Sequence, residues 1–328
     1  MYMKAGLFIF LFFAVQTTGQ TVDELTESLT KGIENDSLKV VRIYGWVTKN
    51  IVYDNHFIRN KIEGDTTLLQ EPYNVVVRKK AVCSGYSKLI KTMCRQVGIE
   101  SETVYGWTTD YRGAFDQQEH AWNVVKINSQ WYLLDATWGS SGSDAVKKYF
   151  LTDPSVFLEN HYPHDPMWQL TDKPIGFDCF SKRKKCSYDE KIVFSYRDTI
   201  ETWLKKDSLA RMFDFGQRAL RYFPNDVEAI RDMANAHSGE ALMAYNAYFN
   251  MRQAALSKKK DADGRTEALA LIDKAEAHLL QAKELYERLT TFARKGQLTD
   301  AHFNRDLMAE NLLRLAEERK TVVQIFKK

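Results

Sequence analysis

Three side chains in this sequence have the types and the order of a thiol acyl-transfer centre: Cys83, His120 and Asp135. A thiolate attacks a carboxamide or peptide carbonyl when an imidazole moves the proton and a third group holds that imidazole in place. Cys83 lies in AVCSGYSKLIKTMC, at the front edge of a helical pattern. In the first turn of a helix, free backbone amides and the helix dipole favour the thiolate. His120 and Asp135 lie in EHAWNVVKINSQWYLLDATWG. With Asn128-Ser129 as a two-residue turn, His120 faces Thr137 and Asp135 faces Trp122, which sets His120 and Asp135 diagonally on one sheet face. Their Cα atoms would be about 7–8 Å apart, within side-chain reach. Each placement is common on its own, and a lone strand histidine is more often a satisfied structural group than a base. Three placements converging on one site favour the triad. The Cys83 amide is one candidate oxyanion donor, and the second is expected between Trp46 and Tyr53.

The elements that must position these residues follow from periodicity. Asp36 reads as the N-cap of a helix with Val40, Val41, Tyr44, Val47 and Ile51 on one stripe. Residues 55–80 have no sustained period and are expected to be loop with short irregular pieces. Tyr86, Leu89, Ile90, Met93, Cys94 and Val97 make one buried face of a helix from 83 to 97, stopped by Gly98. Cys94 on that face is a small buried hydrophobe. Strands are expected at Glu102–Trp107, Ala121–Ile127 and Trp131–Ala136. At least two of Trp122, Trp131 and Trp138 are expected to pack rather than line a cleft. The segment YFLTDPSVFLENHYPHDPMWQL should hug the surface. His161 and His164 there lack further ligands at metal spacing and are assigned to packing or hydrogen bonding, so no metal is expected. From 197 to the end the chain is rich in Ala, Leu, Glu, Lys and Arg and reads as roughly four helices. RALRYFPNDVEAIRDMANAH has a faint tetratricopeptide look, but no period repeats.

The bulk properties bound the partners. The chain has 328 residues, 44% of them apolar, enough for two domains. With 46 Lys plus Arg against 43 Asp plus Glu, no charge field argues for nucleic acid or a membrane surface. Lys4, the apolar run Leu7–Val15 and the small residues Thr17, Thr18 and Gly19 read as a signal peptide over 1–19, too short to span a bilayer. A secreted or periplasmic location follows, where disulfides form. In one helix Cys83 and Cys94 are separated by about 16 Å of rise and cannot pair. Cys179 and Cys186 flank a basic loop and either close a small hairpin or remain free thiols.

VCSGYSKL, a strand ending in YGW, and HAWNVVKINSQWYLLDATWG together resemble the transglutaminase-like superfamily of papain-type folds. WVTKNIVYD upstream and the aromatic segment downstream resemble the branch with kyphoscoliosis peptidase and related cytokinesis proteins, as a secreted bacterial member. The resemblance covers about residues 38–172. It implies an α+β domain with an antiparallel sheet and a nucleophile-bearing helix, with Cys83 as nucleophile, His120 as general base and acid, and Asp135 as the orienting residue. The expected layout is a transglutaminase-like domain over 20–178, a linker or small hairpin over 179–196, and an all-α domain over 197–328. The expected activity is a thiol hydrolase, a cysteine peptidase or amidase, acting on protein or cell-wall peptide without a cofactor. Acyl transfer to an amine uses the same three residues and stays open. So does a non-catalytic assembly module that presents the helical region to a protein partner.

Overall fold

The computed structural model describes residues 21–56, 66–110, 114–183, 194–257, 264–292 and 295–326. The expected signal peptide and Cys186 lie outside the described residues. Helix α1 (Val22–Thr30) starts on a capping box between Thr21 and Glu24, and α2 (Asp36–Asn50) starts on Asn35, whose side chain accepts from the Leu38 amide. Asp36 is therefore the first helical residue and not the cap. Val40, Ile43, Tyr44 and Val47 are the buried stripe of α2, whereas Val41 is exposed, since Ile43 takes the inward position next to Tyr44.

Residues expected to be loop fold more than their mixed polarity suggests. After β1 (Val52–Tyr53) a 3-10 turn over Thr66–Gln70 leads into α3 (Pro72–Arg78), and β2 (Lys80–Ala81) pairs in parallel with β1. Pro72 suits a first helical turn because its missing N–H would have no partner there, and Lys79 ends the helix in the left-handed conformation, at φ 54°. Helix α4 (Cys83–Gln96) follows, with Tyr86, Leu89, Ile90, Met93 and Cys94 all buried, and Gly98 at φ 80° turns the chain out of it. Burial pushes the Cys94 thiol up to about 12, so it stays protonated and inert. Helices α1 and α2 pack against α4.

Four strands form the antiparallel sheet in the order β5-β4-β3-β6: β3 (Ser101–Thr109), β4 (Phe115–Ile127), β5 (Gln130–Leu134) and β6 (His161–Pro163). Asn128 and Ser129 have φ of 50° and 63°, which fits the two-residue hairpin turn between β4 and β5. The β5 strand stops at Leu134, one residue before the expected aspartate, and the short helix α5 (Ala136–Gly139) follows. Strand β6 pairs with β3 in the register Gly106↔Pro163, Trp107↔Tyr162 and Thr108↔His161.

Two compact units divide the chain: Met1–Thr103 with Val125–Gln130 and Leu134–Phe150, and Val104–Val124 with Trp131–Leu133 and Leu151–Lys328. The second holds the C-terminal helices. Among the described residues there are five after Ser195 rather than four: α6 (Tyr196–Leu204), α7 (Ser208–Tyr222), α8 (Val227–Ser257), α9 (Arg265–Thr290) and α10 (Lys295–Ile325). The break at Lys205–Asp207 separates the first two, because Asp207 caps α7 by accepting from the Ala210 amide. Ala234, Ala241 and Ala244 of α8 meet Ala275, Leu279 and Ala282 of α9 with Met308 and Leu315 of α10, small side chains that let the helices approach closely. His164 lies wholly buried with Nδ1 2.6 Å from the Asp226 carboxylate, whose other oxygen accepts the Ala229 amide in the first turn of α8. Arg218 of α7 makes a two-pronged bond to Asp165. Among the described residues no helix is long and apolar enough to cross a membrane.

Candidate active site

Cys83 is the first residue of α4 and is half-exposed. The Val82 amide donates to Gln70 Oε1 at 2.9 Å, and the Val82 carbonyl accepts the Gly85 and Tyr86 amides at 2.9 and 3.1 Å. The amides of Cys83 and Ser84 belong to the helix start that has no intrahelical acceptor, and so are available as donors. Three bonds lash residues 51–54 to this helix start: Val52 N–H to the Lys79 carbonyl at 2.9 Å, Asp54 N–H to the Ala81 carbonyl at 2.9 Å, and the Tyr86 hydroxyl to the Ile51 carbonyl at 2.6 Å.

Asp135 is fully buried and is a helix cap, not the strand residue that the alternation suggested. One carboxylate oxygen accepts the Thr137 and Trp138 amides at 2.8 and 3.1 Å, which turns the chain out of β5 and into α5. Its own amide donates to the Tyr149 carbonyl at 2.9 Å, and its carbonyl accepts from the Tyr44 hydroxyl at 3.1 Å. Burial, and then the charge of Asp135, push the Tyr44 phenol well above its ordinary range, so it remains a donor.

His120 lies on β4, 8% exposed, with its ring 6.2 Å from Trp122 and 5.7 Å from His161. His161 is completely buried on β6: its ring stacks 4.1 Å from Phe157 and meets Trp122 edge-on at 5.1 Å, and Nδ1 lies 2.5 Å from Asn160 Oδ1. One ligand atom each of His120, Asp135 and His161 fall within 4.8 Å of one another. An imidazole beside a fixed carboxylate is the geometry of an oriented base. The same buried His-Asp-His group has donors that could hold a divalent cation. His161 packs on Phe157 and Trp122 and His164 bonds to Asp226, but against the expectation that neither has partners at ligand spacing, His161 joins this group. Only the pairing of β6 with β3 brings it there, and no local signal in the sequence carries that pairing. Trp122 and Trp131 are buried packing residues, the latter 5.8 Å from Trp168.

Residues 23–136 match the model of the transglutaminase-like superfamily. Kyphoscoliosis peptidase of Homo sapiens is 33% identical over 180 residues, which are 49% of this chain and 26% of the relative. Its counterpart in Mus musculus is 31% identical over 175 residues, 48% of this chain and 25% of the relative. The chain thus spans about a quarter of the length of these curated relatives. A crystal structure of a TGase shares 21% identity with a TM-score of 0.29, covering 37% of this chain and 31% of that chain. By this family match, residues 23–136 are a transglutaminase-like domain.

Proposed function

We propose that this domain is a thiol hydrolase, a cysteine peptidase or amidase that works through Cys83, His120 and Asp135. The closeness of the buried His120 imidazole to the Asp135 carboxylate carries the proposal. Asp135 is held by its amide, its carbonyl and one carboxylate oxygen, so its carboxylate is fixed within reach of the imidazole that it would orient. His120 takes the Cys83 proton as the sulfur bonds to the carbonyl carbon, and the carbonyl electron pair moves onto oxygen beside the Cys83 amide. Collapse of this intermediate expels the amine, which takes the proton from His120 and leaves a thioester. Water then attacks the thioester carbon, with His120 accepting its proton; the carbon–sulfur bond breaks, the acid is released, and the Cys83 sulfur takes the proton back from His120. We place the reaction on protein or peptide outside the cytoplasm, on the strength of the leader pattern. The C-terminal helices are assigned to a separate domain over 197–328 that offers a docking face to a protein partner.

Casein offered together with a labelled primary amine tests the chemistry. New amino termini without amine incorporation, lost in Cys83→Ala, are the expected result. Amine incorporation without new termini would replace hydrolysis by acyl transfer at the same thioester. Cleavage that survives Cys83→Ala would overturn the thiol mechanism.

A further inference from the structure

One backbone amide is a thin oxyanion hole, and residues 51–54 are bonded directly to the helix start that bears Cys83. In the parallel pairing of β1 with β2, Tyr53 is level with Ala81, two residues before Cys83. The other polar side chains from Trp46 to Tyr53 are engaged or point away. Thr48 donates to the Tyr44 carbonyl at 2.9 Å and Asn50 to the Trp46 carbonyl at 2.8 Å, the Lys79 ammonium sits 4.2 Å over the Trp46 ring, and Lys49 is exposed. Tyr53 is half-buried, and among the described residues its hydroxyl has no hydrogen-bond partner. Burial, and then the nearby Cys83, Tyr86 and Asp135, push its phenol up to about 12, so at neutral pH it keeps the proton that a donor needs.

We infer that Tyr53 is a catalytic residue, the second donor of the oxyanion hole, which gives its hydroxyl proton as a hydrogen bond to the carbonyl oxygen of the substrate when Cys83 bonds to the carbonyl carbon. This rests on the thiol hydrolase proposed above. No proton leaves Tyr53 in the step. The hydrogen bond forms as negative charge builds on the substrate oxygen and is given up when the thioester carbonyl re-forms.

Two probes of Cys83 separate this role from any effect on the thiol itself. p-Nitrophenyl acetate acylates a thiol through a tetrahedral oxyanion and expels p-nitrophenolate, whereas iodoacetamide alkylates it by displacing iodide, with no oxyanion. In Tyr53→Phe, acylation of Cys83 should slow by about 10- to 1,000-fold, the range for loss of one oxyanion donor, while alkylation is unchanged. Tyr86→Phe is the control, because the Tyr86 hydroxyl is already given to the Ile51 carbonyl, and its ratio of acylation to alkylation should match the parent protein. Equal slowing of both reactions in Tyr53→Phe, or no slowing of either, would overturn the assignment. A parent protein whose Cys83 is alkylated but never acylated would overturn the underlying thiol hydrolase, a failure distinct from a normal parent with an unaltered Tyr53→Phe.

Discussion

Asp226→Asn should weaken the fold by an amount that depends on pH. His164 and Asp226 are both buried, with Nδ1 2.6 Å from the carboxylate. Burial alone would lower the His164 pKa, but the charge and hydrogen bond of Asp226, helped by Glu119 and Glu228, raise it above the ordinary value. A raised histidine stabilises the fold most below its unfolded value of about 6.5, and the stabilisation is lost as pH rises through the folded value. The asparagine can still accept the Ala229 amide that caps α8, so the change isolates the ion pair from the cap. Removing one partner of a buried charge pair costs about 3–5 kcal/mol, whereas a neutral buried group left without its hydrogen bond costs about 1–3 kcal/mol. The loss should therefore be largest, about 3–5 kcal/mol, at and below about pH 6.5, and fall toward about 1–3 kcal/mol at alkaline pH as the imidazole gives up its proton. Urea unfolding followed by tryptophan fluorescence gives both values, with the Trp107 ring 5.4 Å from His164 as a local reporter. Comparing variant with parent at each pH cancels groups that do not feel the pair; Asp232, which burial and then Glu228 raise to about 6, is itself coupled to Asp226 and His164 and shifts with the substitution. An equal loss at the two pH values would show a neutral hydrogen bond rather than an ion pair.

Further outcomes concern the site. A Cβ on Gly85 would come 2.5 Å from Gln70 Oε1 and 2.8 Å from the Ala81 Cβ, so Gly85→Ala must displace the side chain that holds the Val82 amide. It should cost about 1–3 kcal/mol in denaturant unfolding and slow Cys83 alkylation, the latter setting it apart from simple crowding elsewhere. Asp135→Asn keeps an oxygen for the Thr137 and Trp138 amides but loses the charge beside His120. Its melting temperature should stay near that of the parent, while turnover falls by about 10²- to 10⁴-fold, and unchanged turnover would remove Asp135 from the mechanism.

What the sequence made legible was local. The face of α4 is visible because Tyr86, Leu89, Ile90, Met93 and Cys94 follow helical spacing, and the β4–β5 turn because Asn128 and Ser129 suit left-handed geometry. Asp135 comes near His120 for a partly different reason than strand alternation implies, since alternation carries the strand one residue too far. In LLDATWG the competition between strand and cap is settled by the amides of Thr137 and Trp138. Helix α3 leaves little trace in the sequence because it is seven residues long and mixed in polarity, with Pro72 as its main signal. His161 and Tyr53 reach the site through β6–β3 and β1–β2, pairings between segments far apart in sequence that no local pattern encodes.

The central claim, that Cys83 and His120 act as a thiol–imidazole pair, is tested most directly by the alkylation rate of Cys83 with iodoacetamide at pH 7, read by peptide mass spectrometry. Cys94, buried and inert, and the half-exposed Cys179 are controls within the same chain. The account predicts that His120→Ala slows Cys83 by about tenfold or more and leaves Cys179 unchanged. Equal Cys83 rates in the parent and in His120→Ala would contradict it.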